Sequence, residues 1–388
     1  MLVSKPTIGL GKTPTQVVFG PTARSKCTAT LREAQFGDHA QVVALETRHG
    51  LESKTYEEWI HLWTANPAYR HGWPIGWVLE SADGQIVGYL GNIPLLYELN
   101  GKGLLAATGR AWVVDRAYRH YSVSLLKQFY CQKTPDLYLS TTANASSAPI
   151  YELCGSKRVP VGVWDKSAFW ITEYNGFASS LLAVNMPVAR SLLRYPAAVS
   201  LFLADRLRRR VRVQSCGFDV TTCSSFDYPF DDFWRKLRIE RGNLLLAVRT
   251  RQVLDWHFKF ALRENRLWIV TVSNALGIRA CAIFMRQDVP RFGLKRLRVV
   301  DFKALQGDSG LFAPLLLWAL EKCQRERIHT LENVGLPLGT DILEGIPFRV
   351  RRLPSWSNYY CATNKQLAEA LSVPDVWEPS LFDGDASL

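Results

Sequence analysis

The chain has 388 residues, 47% of them hydrophobic and 21% charged, which excludes a disordered or fibrous protein and supplies apolar surface for two cores. Its 47 Lys and Arg against 35 Asp and Glu leave a net charge of +12, pointing to an anionic partner such as a phosphorylated cofactor, a nucleic acid or an acidic membrane surface. The eight Cys form no Cys-x-x-Cys pair and show no ligand-like spacing with the seven His, so the thiols read as reduced and no metal site is expected.

Residues 1–28 are rich in Thr, Ser, Gly and Pro and lack a continuous apolar run; they read as a flexible leader, not a signal peptide. ATLREAQFGD opens a short strand. GDHAQVVALETRHGL and TYEEWIHLW read as helices, the second stopping before Asn66-Pro67 because the residue before proline avoids the helical region. GWVLES, IVGYLGNIPLLYEL and LLAATGRAWVV read as three strands, and the turns at Asp83-Gly84 and Asn100-Gly101 make them an antiparallel meander. SVSLLKQFYCQ places Val123, Leu126, Phe129 and Tyr130 on one helical face. DLYLSTTAN then reads as a strand, ASSAPIYELCG as a helix closed by Gly155, and VPVGVWDKSAFWI as a further strand.

Residues 175–213 form a helical connector punctuated by Pro187 and Pro196. Asn185, Arg190, Arg194 and Asp205 interrupt its apolar run, so it is not expected to cross a membrane. Two readings stay open for it. One is a buried interdomain helix with an Arg-rich edge; the other is peripheral contact of 188–212 with an anionic membrane. The second half repeats the grammar of the first: helices in DDFWRKLRIERG and VLDWHFKFAL, strands in LWIVTVSN, IRACAIFMRQ and LRVVDFKALQ, a long helix in LFAPLLLWALEKCQRE, and strands in HTLENVG and WSNYYCATN. The expected class is α/β (α+β): two mixed, mostly antiparallel sheets with flanking helices, at 29–174 and 214–388, with duplication as the economical origin.

Residues 29–172 resemble the GNAT superfamily of acyltransferases, through VVDRAYRHYSVSLL and NASSAPIYELCG. In that family a strand ends before Arg or Gln, two residues, Gly, one residue, and Gly or Ala. Here Arg119 takes the first place, and Ser122 and Ser124 stand where the glycines belong, at the expense of close backbone approach. The resemblance implies acetyl-CoA or another acyl-CoA as cofactor. Its diphosphate would meet amides around Tyr121, Ser122, Val123 and Ser124 with Arg119 and His120 beside them. Trp112, Val113 and Val114 would pair with the pantetheine, a Val114 amide would face the oxyanion, and Asn144 would reach the cofactor. Tyr151 would protonate the departing thiolate.

A base is harder to place. The family's strand Glu corresponds to Thr108, which leaves Glu80, Glu98 and His61 as candidates. The implied reaction is direct attack of an amine or hydroxyl acceptor, on a small molecule, saccharide or peptide, at the thioester. The second half resembles a degenerate partner domain, with Gln306, Gly307 and Gly310 as a looser cradle. The ending WEPSLFDGD resembles closing segments of tandem acyltransferases from bacterial envelope and polysaccharide loci; the reduced thiols point to the cytoplasm, with the inner face of a membrane as the place the basic connector would suit. Two rival readings are a Fem-type transferase using aminoacyl-tRNA, with nucleic acid otherwise not expected, and a non-catalytic GNAT-like scaffold.

Overall fold

The computed structural model describes residues 27–208, 219–335, 346, 348–353 and 357–388; nearly all of the expected leader lies outside them, as do Arg209, Arg210 and Arg212 of the basic run RLRRRVR at 206–212. The first half runs β1 (Ala29–Glu33), α1 (His39–Arg48), α2 (Tyr56–Thr64), β2 (Gly76–Ser81), β3 (Ile86–Leu99), β4 (Lys102–Val114), α3 (Ser122–Tyr130), β5 (Leu137–Ala143), α4 (Ala148–Leu153), β6 (Lys157–Arg158) and β7 (Lys166–Ile171). The connector is a helical hairpin, α5 (Tyr174–Asn185) and α6 (Arg190–Arg208). The second half runs β8 (Val220–Cys223), α7 (Tyr228–Glu240), β9 (Leu246–Ala247), α8 (Arg251–Arg263), β10 (Leu267–Asn274), β11 (Gly277–Arg286) and β12 (Arg296–Ala304). It ends with α9 (Phe312–Arg325), β13 (Thr330–Val334), β14 (Arg349–Arg352), β15 (Ser357–Ala362) and α10 (Lys365–Ala370).

These strands make two sheets of matching plan, β1-β2-β3-β4-β5-β15-β6 and β8-β10-β11-β12-β13-β7-β14, with β9 added beside β3. In each sheet an antiparallel meander is followed by one parallel pair, β4 with β5 and β12 with β13. The sixth strand of each comes from the other half of the chain. β7 pairs with β13, although the sequence reading kept it with the first half, and β15 pairs with β5. A linear cut near 174 or 214 therefore does not separate the sheets. Local propensity makes both segments strands; which sheet takes them depends on long-range pairing that no local pattern encodes.

One core, including Trp59, Trp63, Leu90, Phe129, Trp234 and Phe258, is continuous across both halves, and a second lies between α9 and the second sheet around Phe284, Leu297 and Leu315. His61, an expected base candidate, belongs to the junction. Its Nε2 faces the Trp256 carbonyl at 2.9 Å, and Trp256 Nε1–H donates to the His61 carbonyl at 3.0 Å.

A buried ion cluster pins the chain end across the two sheets. Arg249 donates to both carboxylate oxygens of Asp301 on β12 (2.7 and 3.0 Å), to the Ala247 carbonyl (2.7 Å) and to Asp383 Oδ1 (3.0 Å). The Tyr97 hydroxyl of β3 donates to the Asp383 carbonyl, and the Arg249 guanidinium lies 4.8 Å from the centre of the Phe382 ring. Nearby, buried His257 contacts Ser387 Oγ at 2.8 Å; burial, and then the Lys54 charge, push its imidazole down to about 3.

A histidine depressed in the fold contributes stability that is complete above its unfolded value near 6.5 and is lost as pH falls toward the folded value. Between pH 7 and pH 5 the native state is expected to lose about 2 kcal/mol through this group. Urea titrations at the two pH values measure that loss, and His257→Gln is expected to remove most of the difference.

Candidate functional site

β4 and β5 pair in parallel only at Ala106–Leu137, Ala107–Tyr138 and Thr108–Leu139, and then part. Just beyond the parting, Ala111 and Trp112 stand opposite the single residue Leu90, between the Gly91–Arg110 and Tyr89–Val113 pairs. Ala111 takes φ 54° there, a left-handed conformation uncommon outside glycine and a mark of a β-bulge, which bends a strand and re-aims its side chains. Val113 and Val114 pair back to Tyr89 and Gly88 of β3, so the β4 edge facing β5 carries no ladder beyond Thr108.

Tyr151 on α4 is buried at this gap. Its ring meets Trp112 edge-on at 5.6 Å and stacks on Tyr359 of the exchanged strand β15 at 5.8 Å. Burial pushes its hydroxyl up to about 12, a hydrogen bond with Ser140 of β5 pulls it back, and the charge of Asp385 raises it further. Trp112 Nε1–H is buried with no partner among the described residues.

Asp385 is the residue sequence reasoning missed. The chain end crosses from the Arg249 cluster onto β5, where Asp385 accepts from Thr141 Oγ1 (2.8 Å) and Thr142 Oγ1 (3.0 and 3.2 Å). Gly384 permits the approach, since a Cβ there would overlap the Thr141 side chain. Burial raises the Asp385 carboxyl above its ordinary range, the two threonine hydroxyls pull it down in part, and Arg110 of β4 adds a favourable charge. Arg110 is itself paired with fully buried Glu46 at 2.9 Å. Within the tail's WEPSLFDGD, the local signal at Asp383-Gly384-Asp385 reads as an ordinary turn.

The other expected site residues fare differently. Glu80 and Glu98 are not brought to the gap: Glu80 is held by Arg32 of edge strand β1, and Glu98 by Arg238 of α7, each at 2.5 Å. Thr108 is buried at the last β4–β5 pair, and its hydroxyl has no partner among the described residues. Asn144 is exposed, and its Oδ1 accepts from the Ser146 amide (3.0 Å), the Ser146 hydroxyl (2.7 Å) and the Ser147 amide (2.9 Å). It therefore shapes the turn into α4.

The start of α3 differs from the expected cradle in one respect. Residues Arg116–Tyr121 form a 3₁₀ turn that runs directly into α3, and the Ser122 amide already donates to the Arg119 carbonyl. The helical run thus begins at Arg116 behind Asp115, whose carboxylate is held by Arg48 (3.0 Å) and His49 (3.1 Å). Arg119, His120 and Val123 are exposed, while Tyr121, Ser122 and Ser124 are half-buried. In the looser second cradle Gln306 adopts φ 58°, and its amide donates to Glu240 at 2.6 Å, so a carboxylate already takes the donor a phosphate would need. The β12–β13 parting holds an open cleft of about 430 Å³, solvent mouth included, covered by 378–381; there Lys303 Nζ donates to the Glu378 carbonyl at 2.9 Å. No group of His, Cys, Asp and Glu among the described residues is arranged to hold a metal.

No family model matches the sequence, and no curated protein matches it. Solved structures do. The chain is similar to Saccharomyces cerevisiae N-myristoyltransferase with bound myristoyl-CoA, at 10% identity and a TM-score of 0.55, over 93% of this chain and 85% of that one. It is similar to an Enterococcus faecalis protein of unknown function given as a probable N-acyltransferase (12% identity, TM-score 0.53, 86% and 73% covered). A GCN5-related N-acetyltransferase from Kribbella flavida also matches (11% identity, TM-score 0.50, 87% and 71% covered). At these identities the likeness shows the fold alone: the chain shares the two-sheet architecture of these solved structures.

Proposed function

We propose that the chain transfers an acyl group from acyl-CoA to an amine or hydroxyl acceptor at the gap between β4 and β5. One observation carries the reading: Tyr151 packs on Trp112 beside the parted strands, and the Asp385 carboxylate is seated on β5 with its charge raising the Tyr151 hydroxyl further. The unpaired β4 edge offers main-chain groups to the pantetheine amides in the manner of an added strand. The exposed Arg119 and His120 side chains, more than the head of α3, would meet the diphosphate. A bound myristoyl-CoA in a protein of the same fold supports the cofactor class.

The chemistry then follows from the two titratable groups. Asp385, its affinity for a proton raised by burial, takes the proton from the acceptor nitrogen or oxygen, whose lone pair attacks the thioester carbonyl carbon. An amide on the free β4 edge stabilises the oxyanion. As the carbon–sulfur bond breaks, Tyr151 gives its proton to the thiolate, and solvent returns a proton from Asp385 to Tyr151. A hydroxyl shifted to about 12 stays protonated until the sulfur needs it.

Thermal shift with acetyl-CoA, longer acyl-CoAs, free CoA and aminoacyl-tRNA tests this reading. Acyl-CoA at 100 times its dissociation constant is expected to stabilise by about 2.7 kcal/mol, and aminoacyl-tRNA not at all. Tyr151→Phe is expected to keep that shift while kcat falls by about 10²-fold. A shift with aminoacyl-tRNA alone would move the chain to the Fem-type reaction, and a shift with neither ligand would leave a scaffold.

A further inference from the structure

The sequence reading that buried the connector between the halves does not match the structure. Half of the large apolar side chains exposed among the described residues lie between Leu181 and Leu207, on the α5–α6 hairpin. Val188, Leu192, Tyr195, Val199 and Phe202 recur at helical spacing as one stripe, with Val188 97% and Leu192 78% exposed, and Leu207 at 80% extends it. A monomeric soluble protein seldom leaves so continuous an apolar strip open unless something covers it.

We propose that this face seats on an anionic lipid bilayer. Its charges choose the partner. Residues 174–208 hold four Arg and a single acid, Asp205. That acid is turned inward, to Arg349 at 2.8 Å and the Tyr174 hydroxyl at 3.1 Å. The arginines instead accompany the exposed rings: the Arg194 guanidinium lies 4.4 Å from the Tyr195 ring centre and donates to its hydroxyl at 2.6 Å, and Arg206 lies 5.4 Å from the Phe202 ring centre. Aromatic rings with cationic partners along an apolar stripe match the headgroup level of a membrane, where the rings sink toward the acyl chains and the guanidinium groups stay with the phosphates. No described helix is long and apolar enough to cross a membrane, so the hairpin lies in the plane of the surface. A second copy of this chain fits poorly, because two such faces would set arginine against arginine.

Co-sedimentation of the full chain with vesicles decides the matter. Binding to phosphatidylcholine vesicles containing one third phosphatidylglycerol is expected to exceed binding to pure phosphatidylcholine by about tenfold or more, and to weaken with salt. Leu192→Asp with Leu207→Asp is expected to abolish it, and Arg206→Glu to weaken it about fivefold. These three side chains are exposed, so the thermal transition of each variant should match that of the parent. Three outcomes overturn the proposal: a chain that stays in the supernatant with anionic vesicles, binding that survives the double Asp variant, or a dimer in analytical ultracentrifugation that the same variant dissociates.

Discussion

Asp385→Asn is expected to lower kcat by about 10²- to 10⁴-fold, the range for loss of a positioned general base, while acyl-CoA still produces its thermal shift. Asn keeps the shape of the side chain and can still accept from the Thr141 and Thr142 hydroxyls, so the tail should stay on β5. The effect on stability has a definite sign. Asp385 has a raised carboxyl in the fold, so the native state binds its proton more tightly than the unfolded chain does. Its contribution to stability therefore falls as pH rises from about 3.8 through the folded value. At neutral pH the ionised group weakens the fold, and the Asn variant should be at least as stable as the parent. An inactive variant of undiminished stability separates chemistry from folding. The kcat profile of the parent should in turn show its acidic limb above the ordinary carboxylate range.

Arg249→Ala is expected to cost about 3–5 kcal/mol of stability, measured by chemical denaturation at neutral pH. The guanidinium is 4% exposed and serves two carboxylates at once. Burial opposes ionisation of Asp301, yet Arg249 overrides it and holds that carboxyl below its usual range; Asp383, also buried, is raised despite the same guanidinium. Removing the arginine leaves two buried acids with only the charge of Lys303 to offset them. Because Asp383 lies two residues before Asp385, the variant should also lose activity through displacement of the tail. Restoring packing with Arg249→Met and Asp301→Leu together should recover much of the stability, since an apolar pair of similar volume replaces an ion pair at little cost. Activity should stay low in that double variant, because Asp383 loses its anchor.

The sequence made the element order and the β2–β3–β4 meander legible, because hairpin turns and hydrophobic period are local signals. The strand exchange was illegible: KSAFWI and SNYYCA are good strands in either sheet, and only long-range pairing assigns them. Asp385, the base proposed above, was missed for a related reason. Glu80 and Glu98 drew attention as acids on neighbouring strands, but the structure uses both in ion pairs, while the acid at the gap arrives from a tail 234 residues beyond Tyr151 in the chain. The 3₁₀ turn Arg116–Tyr121, which takes up the Ser122 amide, was not legible either. The connector's Arg-rich pattern was visible, but its exposure depended on which side of α6 faced α5.

Hydrogen–deuterium exchange of the full chain, with and without saturating CoA thioester, tests most directly whether the β4–β5 gap is the cofactor site. The expected result is slowed exchange in Arg110–Val114 and Ser140–Ala143, with the matching stretches of the second sheet, Val299–Lys303 and Asn333–Val334, unchanged. Slowing confined to the second sheet, or absent from both, would contradict it.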